Sequence, residues 1–123
     1  MATILAIGNA TLDIVNTVDH YPQEDSETRA VSQRMVLGGN AANSLHVLRQ
    51  LNHTSHFMGV LAYDALGHFV KDEFSRLGIG AGLCFATHGR TPTSYITLNQ
   101  QNGSRTIVHY RDLPELHLSL IHI

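Results

Sequence analysis

The chain has no tryptophan, a single cysteine, three prolines and only four tyrosines and four phenylalanines among its 123 residues. One cysteine excludes an internal disulfide and fits a reducing compartment. Cys84 lies in the apolar run "GLCFA", so it reads as a buried structural thiol. Charge is also scarce: 15% of residues are charged and the net charge is −2. Such a surface offers no electrostatic footprint for nucleic acid or an anionic membrane. No apolar run approaches the ~18 residues a membrane span needs. The opening "MATILAIGNA" lacks the basic n-region of a signal peptide, so a cytoplasmic protein is expected. Metal chemistry finds little support. The nine histidines are scattered, and no HExxH or Cys/His cluster surrounds any of them, so no metal site is expected. No GxxxxGK[ST] loop occurs, and "GIGAG" at 78–82 fails the GxGxxG pattern because Leu83 holds its last position.

What is present is a chain with 43% hydrophobic residues, long enough for one domain with a core. "TILAIG" reads as a buried strand running into a turn. "DIVNTVDHYP" and "ETRAVSQRMV" alternate weakly and flank the polar "QEDS", which predicts a pair of half-exposed strands joined by a turn. Ala41, Leu45, Leu48 and Leu51 recur at steps of three and four, predicting an amphipathic helix over 40–52. "HFMGVLA" and "GLCFA" are further buried-strand candidates. Between them Asp64 caps a second helix, whose apolar face is Leu66, Phe69, Val70, Phe74 and Leu77 and whose stop is Gly78. "TSYITLN" and "SRTIVHYR", joined by "QQNG", form a hairpin. Strand–helix–strand alternation implies an α/β fold on a mostly parallel sheet. The two exposed β-pairs, within 14–35 and 92–111, are expected to pack together as a small protruding sheet. Such a flap suits a lid over a ligand.

The stretch "VLGGNAANS" combines that helix start with two glycines and two asparagines. Gly39 has no Cβ, so a ligand can approach its backbone, and its N–H points outward at a helix start. Asn40 and Asn43 lie three apart on the first helical turn. Each carboxamide both donates and accepts, which suits the hydroxyls of a neutral sugar. Asp13 follows the turn after the first strand and is expected at that strand's carboxyl end, where open α/β sheets bind ligands. These four residues together read as a polyol site.

The segments "GNATLDIV", "YPQEDSETRAVSQR", "GGNAANS", "FMG" and "NGSRTIV" then carry a specific resemblance. Over about residues 4–114 the chain resembles the amino-terminal portion of a ribokinase-like (PfkB-type) carbohydrate kinase, within the ketohexokinase (fructokinase) branch. The resemblance implies a ribokinase-like Rossmann-type sheet with helices, a β lid, and phosphoryl transfer from ATP with Mg²⁺ to a ketose such as fructose. It implies that Asp13, Gly39, Asn40 and Asn43 hold sugar hydroxyls. It further implies that Asp25 reaches the sugar of a partner subunit in a homodimer formed through the lid, and that Arg105 meets the nucleotide phosphates. Leu45 departs from the pattern, standing where many members have a small residue, and is expected to alter the pocket wall.

The family's carboxyl-terminal "GAGD" segment, which supplies the base and the anion hole, does not occur in this sequence. No catalytic residue is therefore assigned, and residues 1–117 read as the sugar-binding wall and lid of a larger, incomplete domain, inactive alone. Residues 118–123, "LSLIHI", read as a non-native tail. Ribose or a nucleoside is the alternative substrate within the family. A non-catalytic sugar- or partner-binding module is the alternative of a different class.

Overall fold

A computed structural model describes residues 1–114; the expected tail at 118–123 lies outside the described residues. Nine strands and two helices follow in the order β1 (Thr3–Ile7), β2 (Thr11–Val18), β3 (Ser32–Gly38), α1 (Asn40–Gln50), β4 (Thr54–Met58), β5 (Val60–Ala62), α2 (Ala65–Arg76), β6 (Ile79–Gly80), β7 (Phe85–Thr87), β8 (Thr93–Asn99) and β9 (Arg105–Tyr110) among the described residues. The body is a parallel three-stranded sheet, β1-β4-β6. The lid is a four-stranded sheet in the order β3-β2-β8-β9. Both expected β-pairs are antiparallel, and they join side by side through parallel pairing of β2 with β8. The α/β plan and the separate lid thus stand as expected.

Several local expectations change. "HFMGVLA" is two strands split at Gly59, β4 in the body sheet and β5 in a two-stranded ladder with β7. The third body strand is β6, inside the "GIGAG" run whose many glycines mask a strand. β1 is not buried on both faces. Ile4 and Ala6 pack on the core, while Leu5 and Ile7 stay 45% and 54% exposed. Residues 19–31 form a long connection between β2 and β3 rather than a tight turn. Leu51 is the C-cap of α1 and is exposed; Ala42, which the three–four count skipped, is buried instead.

The core lies between the body sheet and the two helices. Leu12, Leu45, Phe57, Val70 and Phe74 belong to one buried cluster, and the Phe57 and Phe74 rings stack at 4.8 Å. Leu12 is a lid residue, so the first turn of the lid is anchored by the same apolar burial, about 1.5–3 kcal/mol for a side chain of this size. Leu45 is fully buried here, so it is a core residue and not the pocket wall expected from its departure from the family pattern. Cys84 is half-buried; burial pushes its thiol up, and its sulfur contacts the Phe57 carbonyl at 3.5 Å. Among the described residues no helix is long and apolar enough to cross a membrane.

A second anchor is polar. The Asp64 carboxylate caps α2 by accepting from the Gly67 N–H at 2.8 Å. It also accepts from the Thr91 N–H at 2.8 Å and from the Thr91 hydroxyl. Thr91 is buried and stands two residues before the lid strand β8, so one carboxylate ties the body's second helix to the lid. Burial alone would raise the pKa of Asp64. Hydrogen bonds from Thr91 and Gly67, helped by the Arg90 charge, outweigh it and hold the carboxyl below its ordinary 3.8. The stabilisation is therefore complete above pH 3.8 and is lost as pH falls through the lower folded value. Asp64→Ala removes the cap and both Thr91 bonds, and should cost about 2 kcal/mol at neutral pH. Urea titrations of both chains should show that gap narrowing below pH 3.8; a gap that stays constant into acid would refute the linkage.

Candidate functional site

The site grows from the turn after β1. Gly8, Asn9 and Ala10 carry the chain from the body sheet into the lid, and Gly8 N–H is fixed by the Met58 carbonyl at 3.1 Å. Gly38 and Gly39 carry it back from the lid into α1. The two crossings touch. A Cβ on Gly38 would come within 2.6 Å of the Asp13 carboxylate, and one on Gly39 would collide with the Asn9 carbonyl. Gly39 also sits at φ 97°, a backbone region that L side chains rarely adopt. Both glycines are thus demanded by the protein's own packing. The space expected for an approaching ligand is filled by the turn's carbonyl and the lid's carboxylate.

Asp13 follows the short connection after β1. It lies inside β2, opposite Val36 on β3 and Ser94 on β8. Its carboxylate ends beside the helix start, half-buried, with Thr11 Oγ1 donating to it at 3.4 Å. Paired residues share a face of a sheet, so Asp13, Ser94 and His109 form one row across the lid. Ser94 Oγ and His109 Nδ1 lie 2.9 Å apart.

Gly39 is the N-cap of α1 and supplies no side-chain cap, so the amides of the first helical turn have no side-chain acceptor there. They border an open cavity of about 410 Å³ whose walls include Asn9, Thr11, Gly39, Asn40 and Arg111. Arg111 donates to Asn9 Oδ1 at 2.9 Å. The structure therefore brings Gly39 and Asn40 together at one cavity, with Asp13 next to it behind Gly38. Asn43 lies on the same helix one turn further along, exposed and off the cavity wall. Asp25 lies in the exposed 19–31 connection with φ 56°, and Arg105 is exposed at the start of β9. Neither touches the cavity. Asn9, Thr11 and Arg111 also line the cavity, and none of them is among the residues expected from the sequence. For Thr11 the signal was its spacing, two residues before Asp13 on a strand of period two; for Arg111 and Asn9, distant in sequence, there was none.

A second cavity of about 440 Å³ opens on the opposite face of the lid, beside Asp64, Arg90, Tyr95 and Tyr110. Among the described residues no group of three or more His, Cys, Asp or Glu could hold a metal ion.

Residues 1–116 match the pfkB family of carbohydrate kinases. The chain is 42% identical over 115 residues to mouse ketohexokinase, covering 92% of this chain and 39% of the mouse protein. It is 24% identical over 132 residues to a nucleoside kinase of Methanocaldococcus jannaschii, covering 44% of that protein. Among solved structures, the ribokinase of Giardia lamblia superposes with a TM-score of 0.78 at 23% identity, over 89% of this chain and 36% of that one. The chain thus spans less than half the length of these relatives. From its match over nearly the whole length and its body sheet with protruding lid, the chain belongs to the pfkB family of carbohydrate kinases, with a ribokinase-like fold.

Proposed function

We propose that this chain forms the sugar-binding wall and lid of an ATP-dependent kinase that phosphorylates a ketose such as fructose. The observation that supports it most is the Asp13 carboxylate packed on Gly38, one residue from the cavity walled by Gly39 and Asn40. A carboxylate accepts from two vicinal hydroxyls, backbone N–H groups donate to a third, and carboxamides do either. In this reading Asp13, Gly39, Asn40 and Asn43 hold the sugar, and Arg105 meets the nucleotide phosphates when the lid closes. Ribose or a nucleoside is the second reading, favoured by the likeness to a nucleoside kinase along the whole chain. In this reading Mg²⁺ accompanies ATP in the whole protein; among the described residues no group of three or more His, Cys, Asp or Glu gathers to hold it. Neither is a base for the attacking hydroxyl assigned to them, so this stretch orients the sugar and excludes water while the transfer chemistry lies elsewhere. The reducing cytoplasm is the compartment this reading expects.

Dimerisation through the lid belongs to the same proposal. The lid face opposite Asp13 carries a continuous row, Met35, Ile14, Tyr95 and Val108, one from each strand. Tyr95 and Val108 are 51% and 68% exposed. A second copy presenting the same row would cover it, and the acidic 19–31 connection with Asp25 would then lie at the edge of the joined lids.

Three measurements test these assignments. Asn43→Leu is nearly isosteric but neither donates nor accepts. Leaving a sugar hydroxyl unpaired costs about 1–3 kcal/mol, or roughly tenfold to more than a hundredfold in fructose affinity. Arg105→Ala should instead weaken binding of an ATP analogue and spare fructose; the reverse pattern in separate titrations would show the two roles to be misassigned. The purified chain should form no ADP from ATP and fructose. Fructose-dependent ADP formation that disappears on Asp13→Ala would overturn that expectation. Finally, Val108→Glu buries a charge in the proposed lid contact and should convert dimer to monomer in sedimentation velocity, whereas a wild-type chain that is already monomeric at high concentration rejects the lid contact.

A further inference from the structure

Of the seven asparagines in the chain, only Asn102 is followed by glycine. The pair occupies the turn between β8 and β9, where residues 101–104 are all exposed. Gly103 takes φ 73°, in the left-handed region. A Cβ built on it would meet no atom of the described residues within 4 Å, its chain neighbours aside. Backbone conformation and not crowding therefore selects glycine here. It also leaves the Gly103 nitrogen unshielded. The other six asparagines precede Ala10, Thr17, Ala41, Ser44, His53 and Gln100, each with a side chain beside that nitrogen.

Two hydrogen bonds act on this pair in opposite senses. The Ser104 N–H donates to Asn102 Oδ1 at 2.9 Å, closing a ring across Gly103 that folds the carboxamide over the turn. The same donation draws electrons from the carboxamide carbon and opens it to attack. The Gly103 N–H donates to the Asn99 carbonyl at 2.8 Å, which ties up the nitrogen that would attack. That second bond breaks whenever the hairpin frays. β9 is an edge strand exposed along its whole length, and opening such an element costs far less than unfolding the chain.

We infer that Asn102 is a site of spontaneous deamidation, primed by the turn and gated by opening of the β8–β9 hairpin. The Gly103 nitrogen loses its proton to water and bonds to Asn102 Cγ, and the carboxamide nitrogen leaves as ammonia. Water then opens the resulting cyclic imide at either carbonyl. One opening gives aspartate; the other gives isoaspartate, with the main chain rerouted through the side-chain carbon. The sum is amide plus water to carboxylate plus ammonium, with no change of oxidation state. Either product places a new negative charge at the tip of the lid, three residues from Arg105. Isoaspartate also adds a carbon to the main chain of the turn, next to the Leu98–Arg105 end of the ladder. The inference does not depend on which substrate the chain holds.

The test incubates the purified chain in mildly alkaline buffer and follows all seven asparagines by peptide mapping and mass spectrometry. The tryptic peptide 91–105 holds Asn99 and Asn102, and its fragment ions separate the two. Asn102 should convert first, giving both products, while Asn99 stays intact. A synthetic peptide of residues 91–105 lacks most of β9 and should convert severalfold faster than the folded chain. Ile107→Gly weakens β9 away from the turn and should bring the rate in the chain toward that of the peptide. Amide exchange at Gly103 reads the opening directly and should rise with the conversion rate in that variant. Gly103→Ala in the peptide, where no turn is at stake, should slow conversion by shielding the nitrogen. An Asn102 that stays intact in the folded chain while the peptide converts fully would overturn the inference. Equal rates in chain and peptide would refute the gate, and a faster asparagine elsewhere would refute the site.

Discussion

Two residues without side chains set the geometry of this site. The chain crosses between body and lid twice within a few ångströms, outward at Asn9 and back at Gly38–Gly39. The Asn9 carbonyl occupies the space of a Gly39 Cβ, and the Asp13 carboxylate that of a Gly38 Cβ. Any larger residue would push the lid strand away from the helix start. The Asp13 carboxylate would then no longer lie beside the amides of α1, and the cavity between them would lose its shape. The strain of φ 97° at Gly39 is tolerable for the same reason, since only glycine stands there.

The crossing is held from two further directions. Leu12, adjacent to Asp13, is fully buried with Leu45, Phe57 and Phe74, so apolar burial fixes the base of the lid. Asp64 fixes the other lid root through Thr91, using one carboxylate both as helix cap and as strap. Beyond these points β2 and β8 keep Val15, Val18 and Ile96 buried, while every residue of β9 is exposed. Anchored roots and a free outer edge suit an element that closes over a ligand or meets a second copy of itself.

Successive rows of the lid point to opposite faces along the register. One face presents Asp13, Ser94 and His109, with Arg111 just beyond the strand end; the other presents Met35, Ile14, Tyr95 and Val108. A slip of one residue between β2 and β8 would exchange them. The parallel β2–β8 pairing therefore decides which faces the Asp13 row and the Tyr95 row occupy, even though both flanking pairs are antiparallel.

Much of this was legible in the sequence because it rests on local rules. The spacing of Leu66, Val70 and Phe74, the Asp64 cap and the Gly78 stop specify α2 wherever it packs. The turn "QQNG" specifies the β8–β9 hairpin, and the glycine pair marks the start of α1. The motif segments were enough to place the chain in its family. Other features depended on partners far away in the chain. Gly59 divides one apolar run into strands of two different sheets, and β6 is a strand only because β4 lies alongside it. Arg111 meets the site beside Asn9, one hundred and two positions earlier. The glycines were recognised, but what fills the space above them was not. Local sequence records the conformation a residue needs, while the atom that makes it necessary is brought there by the fold.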